Sequence, residues 1–352
     1  MDRKVPLLGC LTKAQRGIEI GAYHSPLVPK REGWNVLVMD VFSTSELKRM
    51  VVSDPNLSAT ETSRIEDVDL VGPAHRIADI VAARGELGQF DFIISSHNFE
   101  HLPNPIKFLR EASRALRPDG MVIMAVPDKR TCFDYYRPVS TLAEMLTAYA
   151  EDRERPTAQQ VMEGDSIRAE QTAFPLSEDP LHITAMNNLE LAHATWQAHL
   201  RRGELNTSYV DAHCWKFTPS AFRLIFNDLI YLNYLSYELL NVSETNGNEF
   251  YVQLRNTRGL ASLPKSPAEF YQERQELLRA TLSDCALNAP ATNGYSSPEQ
   301  VAALRSELED VKRHRDALLT STSWRLTAPL RAILQSMRGG LRHPENDQIR
   351  SG

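Results

Sequence analysis

The feature that most constrains this chain is the stretch 17–40, GIEIGAYHSPLVPKREGWNVLVMD. A short strand-like run over 16–20 meets Gly21, and a second run over 35–39 ends on Asp40. A chain reversing between two such strands needs a sharp bend, and a glycine lets the backbone bend and lie against a ligand. The acid stands at the second strand's tip, about twenty residues beyond the turn. In a βαβ unit that spacing suits a nucleoside: the turn faces the ligand's middle, and the acid accepts hydrogen bonds from ribose hydroxyls.

Residues 43–50 have helical spacing, with Thr44 or Ser45 available as the cap, and 51–66 are polar and turn-rich. A short strand falls at 68–71 or at 75–78 and leads to Asp79; 80–87 reads as a helix or turn ended by Gly88. The run FDFIIS at 90–95 is apolar on both faces, as a central parallel strand covered on two sides requires. Apolar residues recur at helical spacing over 105–116, Arg117-Pro118-Asp119-Gly120 ends that helix, and 121–126 form the next strand. This alternation predicts a parallel sheet with right-handed crossovers. Residues 131–211 break the pattern, with helices over 141–153 and 187–201 around a polar stretch at 156–179. They read as an insertion at the ligand-binding edge, where lids are built. Thr218-Pro219 opens a helix through 230, with Pro in its first turn. Strands over 235–242 and 249–255 then form a hairpin around Asn246-Gly247-Asn248, where a dinucleotide dehydrogenase would continue with βαβ units.

At 352 residues, one large α/β domain with appendages fits. The domain spans 1–257. A linker follows over 258–298, with one helix at 267–282. Residues 299–342 combine a charged helix of near-heptad apolar spacing with a basic amphipathic element. A net charge of −6 argues against nucleic acid as a partner. The four cysteines, Cys10, Cys132, Cys214 and Cys285, form no CxxC pair and suit reduced thiols. The apolar run at 5–11 is short for a secretory signal, and no run reaches the roughly 20 residues of a membrane span. A cytoplasmic protein is expected.

In order and spacing, the motifs resemble those of class I S-adenosylmethionine-dependent methyltransferases over about residues 14–257. They are E-x-G at 19–21, Asp40, Asp79, the D-x-I-x-S strand at 91–95 with E-H-L at 100–102, and L-R-P-D-G at 116–120. The resemblance implies an α/β, Rossmann-like seven-stranded sheet, parallel with a C-terminal antiparallel hairpin, and a helical lid at 131–211. It also implies S-adenosylmethionine as cofactor. By the family's motifs, Glu19, Gly21, Ala22 and Tyr23 line the methionine half and Asp40 holds the ribose. Asp79 and Ile80 hold the adenine, and Ser96 and His97 lie beside the sulfonium. Family members commonly carry G-x-G-x-G. Tyr23 replaces the second glycine here, so the loop is expected to run differently, with a closed pocket as the alternative.

Methyl transfer is an in-line displacement at an activated carbon, so the protein mainly positions the reactants. A base is needed only for a hydroxyl or a protonated amine. The candidates are His213, Asp128 and His101, with His97 and His182 beside them. Asp128 follows the fifth strand and faces the pocket mouth. His213, in Asp211-x-His213-x-Trp215, follows the insertion and can return to the same mouth. His101 sits at a helix entrance, where packing or capping competes with catalysis. His193 and His199 do not share a helix face, and no metal is expected from the histidine spacing. The segments PDKRTCFDYYRPVST and DAHCWKFTP resemble a subgroup of these methyltransferases with largely unassigned substrates. The run TSTSWRLTAPLR at 320–331 resembles an element of bacterial glycosyltransferases and methyltransferases of surface-polysaccharide assembly. It implies a sugar or glycan-linked acceptor. The basic tail suits contact with a glycosyltransferase or the inner face of an anionic membrane, and the heptad spacing suits a homodimer. Two alternatives stay open: a small-molecule or lipid methyltransferase, and a cofactor-dead scaffold of a glycan-assembly complex.

Overall fold

A computed structural model of the chain describes residues 3–54, 57–170, 183–202, 211–260 and 265–286. Seven strands form one sheet: β1 Arg16–Ile20, β2 Asn35–Asp40, β3 Leu70–Val71, β4 Phe90–Ser96, β5 Leu116–Pro127, β6 Tyr237–Val242 and β7 Glu249–Asn256. Their spatial order is β3-β2-β1-β4-β5-β7-β6. β3, β2, β1, β4 and β5 are parallel, and β7 runs antiparallel to both β5 and β6. The expected parallel sheet with a closing hairpin is what forms. The strand order reverses between β1 and β4, so their tips open the crevice where ligands of open α/β sheets bind.

Alternation along the strands builds two core layers. On β5, Val122, Met124 and Val126 join one layer, while Ile123 and Ala125 join the other. The first layer takes in α4, Pro105–Ala115, and α8, Pro219–Tyr231. The second takes in Leu7 of the short helix α1, Lys4–Leu8, with Leu27 and Val28 of the β1–β2 connection. At Gly17 a Cβ would lie 2.2 Å from the Phe92 ring. Only glycine lets that ring close over β1.

Helix ends follow their caps. α2, Thr44–Ser53, starts one residue earlier than the expected caps allow, because Ser43 is the cap. Its backbone N–H and hydroxyl both donate to the Glu46 carboxylate, at 2.8 and 2.6 Å. The third strand is the first of the two expected alternatives. The second, 75–78, enters a helical turn and α3, Ile77–Ala82. α4 begins with Pro after Asn104, whose side chain accepts from the Lys107 N–H. In the insertion, α5, Leu142–Ala150, and α7, Leu189–Arg202, match the two expected helices. Between them α6, Ala158–Ser166, forms within the stretch read as polar. The Thr157–Gln160 capping box starts it, and few of its residues are buried.

α9, Pro267–Ala286, lies in the segment read as a linker, yet it docks on α8. Phe270 stacks on Tyr231 with ring centroids 3.6 Å apart, and Arg274 meets Asp228 at 2.9 Å. Contacts divide the chain into Met1–Pro290 and Ala291–Gly352. The second unit lies wholly outside the described residues, and with it the charged helix and basic element expected at 299–342.

Phe99 anchors the loop after β4. It is fully buried, with the rings of Phe108, Phe217, Phe222 and Phe226 at 5.9–6.4 Å. Truncating such a hub costs roughly 3–5 kcal/mol. Phe99→Ala is therefore expected to lower the urea midpoint sharply, and Phe99→Leu to do so by much less. Equal stability of Phe99→Ala and the parent would remove this hub from the account of the fold.

Candidate active site

Strand tips at the switch point carry the first group of residues. Gly21 turns at φ +68°, its N–H donating to the Met39 carbonyl at 3.0 Å. A Cβ there would come 3.2 Å from the Asn98 side-chain nitrogen. Asn98 Oδ1 is buried beside this turn and has no hydrogen-bond partner among the described residues. The glycine cradle and the unmet acceptor across it fit a bound ligand bearing N–H or O–H groups.

Tyr23 has φ +43° and so holds the left-handed backbone that a second glycine would supply. A non-glycine residue there costs roughly 1–2 kcal/mol. Its ring packs on the cluster of Leu47, Val51 and Ile65, and burial nudges its hydroxyl pKa upward. The missing glycine thus leaves the turn's backbone conformation intact. Ala22 is buried, and its carbonyl accepts from the Ser25 N–H.

Asp40 ends β2 as expected. Burial raises its carboxyl pKa, opposed by the backbone N–H groups of Phe42 and Val41. Glu19 serves the loop rather than facing the crevice. Its two oxygens accept from Leu27 and Val28 N–H at 2.6 and 3.1 Å. Burial pushes its carboxyl up to about 7 against those two donors. Ile80 reaches the tip of β3, where its Cδ1 would lie 2.8 Å from a Cβ on Gly72. Asp79 does not. It is exposed on α3 and faces Arg114 in the last turn of α4 at 3.9 Å, because one helical step from Ile80 turns it off that face. Ser96 Oγ accepts from Arg3 at 2.5 Å.

The second group stands just past the β4 tip. His97 has φ +48°, and its Nε2 lies 2.8 Å from Glu249 Oε2. The chain then turns through Phe99–His101, and the Glu100 carbonyl accepts from both Cys214 and Trp215 N–H, at 2.7 and 3.1 Å. Trp215 Nε1 donates to the Leu102 carbonyl at 2.6 Å. These bonds bring His213 onto His101, with ring centroids 4.5 Å apart and edge to face. His213 Nδ1 bonds Asp134 Oδ2 at 2.5 Å, and the buried Arg137 holds Asp134 Oδ1 at 2.7 Å. Burial alone would raise the Asp134 carboxyl, but His213 and Arg137 bring it down to about 2. Burial alone would lower the His101 imidazole, but Asp211 and Glu100 outweigh it and raise it.

Two of the three base candidates, His213 and His101, are therefore brought together. Asp128 is not. It is fully buried, its carboxylate is bound by Arg130 at 2.6 Å and Thr245 at 2.5 Å, and Arg130 continues to Asp284 of α9 at 2.8 Å. A carboxylate so engaged holds the hairpin to β5. His182 lies outside the described residues. The expectation of no metal rested on sequence spacing, yet Glu100, His101 and His213 bring three donor atoms within 4.8 Å of one another. Sequence reading missed Asn98, Glu100, Asp134 and Glu249. Glu100 and Asp134 had a signal, being acids inside the E-H-L motif and the PDKRTCFDYYRPVST segment; Glu249, the first residue of the inner strand of the closing hairpin, had none. A cavity of about 1210 Å³ between α8, β6 and α9 carries none of these residues.

A family profile described as a methyltransferase domain matches residues 2–229. No curated protein matches. Among solved structures, an S-adenosylmethionine-dependent methyltransferase from Mesorhizobium loti is 13% identical, covering 71% of this chain and 96% of its own, with a TM-score of 0.37. One from Aquifex aeolicus is 14% identical over 72% of this chain and 89% of its own, at 0.33. A structure described as putative Zn-dependent alcohol dehydrogenases from Rhodobacter sphaeroides is 15% identical over 73% and 90%, at 0.37. Likeness at this level extends to differently named proteins and says nothing of activity.

Glu19 gives the site a pH signature. Its native carboxyl titrates above the ordinary 4.5, at about 7, so the folded state holds the proton more tightly. Its contribution to stability is full below about pH 4.5 and is lost as pH rises through about 7. The loss amounts to about 3 kcal/mol. Urea unfolding at pH 5 and pH 8 is expected to show a drop in the parent that Glu19→Gln lacks. Parallel profiles would refute the assignment.

Proposed function

Since the chain belongs to the methyltransferase-domain family, with S-adenosylmethionine as its cofactor, we propose that its acceptor is a hydroxyl of a sugar or glycan-linked molecule. The cofactor supplies a methyl group on a positively charged sulfur. Around it the chain's own residues have separate tasks. The Gly21 turn and Asn98 form its cradle, and Asp40 meets the ribose hydroxyls. Burial at the strand tips excludes water.

One observation carries the acceptor reading: the fully buried Glu100, the half-buried His101 and the largely buried His213 come together just past the β4 tip, Glu100 two residues beyond Asn98. In the transfer the carbon–sulfur bond breaks, its electron pair going to sulfur, and an oxygen–carbon bond forms. The hydroxyl must lose its proton as it does so, and a carboxylate with two imidazoles has the chemistry to assist that loss. Acceptors that are already anionic would need no such group. The glycan class is supported by the 320–331 run, and the same tail is where contact with a glycosyltransferase or an anionic membrane surface belongs.

Calorimetry with S-adenosylhomocysteine tests the cofactor side. Asp40→Ala is expected to weaken binding about 10- to 100-fold, the loss of hydrogen bonds to a charged acceptor. Unchanged affinity would remove Asp40 from the site. Methyl transfer from labelled cofactor to nucleotide sugars and oligosaccharides, against lipid and phenol panels, tests the acceptor. His213→Ala is expected to lower kcat by about 10²- to 10⁴-fold with cofactor affinity kept. Turnover on lipids or phenols alone would overturn the glycan reading.

A further inference from the structure

Glu100 is fully buried, and neither of its carboxylate oxygens has a hydrogen-bond partner among the described residues. A buried carboxylate left that way is strongly unfavourable. Two imidazole nitrogens converge on its Oε1: His101 Nε2 at 3.7 Å and His213 Nε2 at 3.9 Å. These gaps exceed a hydrogen bond, which closes by about 3.2 Å. They also fall short of a bridging water, whose two bonds of about 2.8 Å at a tetrahedral angle hold their ends about 4.6 Å apart. An ion bound at about 2.0–2.2 Å in tetrahedral geometry sets its ligand atoms about 3.4 Å apart. That separation lies a few tenths of an ångström from the one found.

The surroundings point the same way. His213 Nδ1 is held by Asp134 at 2.5 Å, which turns its Nε2 inward, and Asp211 Oδ1 lies 2.8 Å from His101 Nδ1 without the alignment of a hydrogen bond. A carboxylate on the outer nitrogen is how metal-binding histidines have their tautomer and orientation fixed. A third imidazole, His97, approaches Glu100 Oε1 with Nδ1 at 3.7 Å while Glu249 holds its Nε2. Among the described residues, Glu100, His101 and His213 form the group whose donor atoms all lie within 4.8 Å of one another.

We infer that Glu100, His101 and His213 bind a divalent cation of the zinc class, with Asp134 as a positioning residue. Two imidazoles and one carboxylate suit such an ion, and three protein ligands leave a fourth position open. Cation binding stands on this geometry alone. Its use rests on the acceptor reading above: a coordinated hydroxyl is a stronger acid, so its proton passes to water and the imidazoles serve as ligands.

The test uses the full-length protein, stripped with EDTA and titrated with Zn²⁺ against a chromophoric chelator, then with Co²⁺ followed by visible absorption. Expected are about one equivalent per chain and the intense bands of a tetrahedral Co²⁺ site. Glu100→Gln and His213→Ala should each weaken Zn²⁺ binding by more than about 100-fold. Asp134→Asn keeps all three ligands and should weaken it about 10- to 100-fold. His193→Ala, on α7, should bind as the parent does. Absence of stoichiometric uptake by the folded parent overturns the site, as does uptake that Glu100→Gln and His213→Ala leave unchanged. If those two variants do not fold, Asp134→Asn and the parent's Co²⁺ spectrum decide. Calorimetry with S-adenosylhomocysteine on the stripped protein keeps the two readings apart. Cofactor heat without Zn²⁺ uptake removes the cation site alone, and Zn²⁺ uptake without turnover on any sugar removes the acceptor reading alone.

Discussion

The carbonyl of Glu100 accepts two backbone N–H groups from the far end of the insertion, Cys214 at 2.7 Å and Trp215 at 3.1 Å. The meeting of His101 and His213 depends on that junction. It joins the residue just past the β4 tip to a segment more than a hundred positions later, and it sets His213 against His101. Beneath it, Phe99 fixes the loop from the core side, while the indole of Trp215 donates to Leu102 from the other. The backbone is thus held at both ends, and the side chain of Glu100 is left in the interior with histidines as its neighbours.

The sheet was legible from sequence because its central strands, β1 and β4, are buried on both faces. Runs such as FDFIIS leave few other structures open to them, and Pro, Gly and Ser/Thr caps mark where the intervening helices begin and end. Gly21 and Asp40 were equally legible, since a turn lacking Cβ and an acid at fixed spacing are local signals. Asp79 was misread for a local reason: the motif gives an acid near the third strand, but the helical phase that turns Asp79 toward Arg114 is set by α3 packing on α4. Asp128 was misread for a non-local one. Thr245, which donates to this carboxylate, lies far along the chain, as does Asp284, which anchors the Arg130 guanidinium that clasps Asp128, and only the fold brings them there. The histidine group was half legible. His101 and His213 were singled out, but Glu100, noted only as part of the E-H-L motif, was not, because its burial is a tertiary fact.

Tyr23 illustrates how a motif can be kept in backbone while lost in sequence. The turn needs a left-handed residue after Gly21, and glycine supplies it without strain. Tyrosine supplies the same φ at a cost, and offsets part of it by packing its ring on the cluster of α2. Glu19 does similar work from below, its two acceptor oxygens fastening the loop at Leu27 and Val28. The Gly21 turn is therefore braced by side chains, Tyr23 against the α2 cluster and Glu19 against the loop.

Glu249 has a bearing on how the protein comes into being. Its carboxylate meets His97, 152 positions earlier, and Arg3, 246 positions earlier. In a chain made from its amino end, the parallel strands can pair while synthesis continues. The His97 imidazole acquires its partner only when the seventh strand has emerged and slotted between two others. Completion of this corner in the nascent chain is thus deferred to a late, long-range closure, of the kind that loop entropy makes slow. A truncated or stalled product ending before residue 249 would hold most of the sheet and an unfinished site.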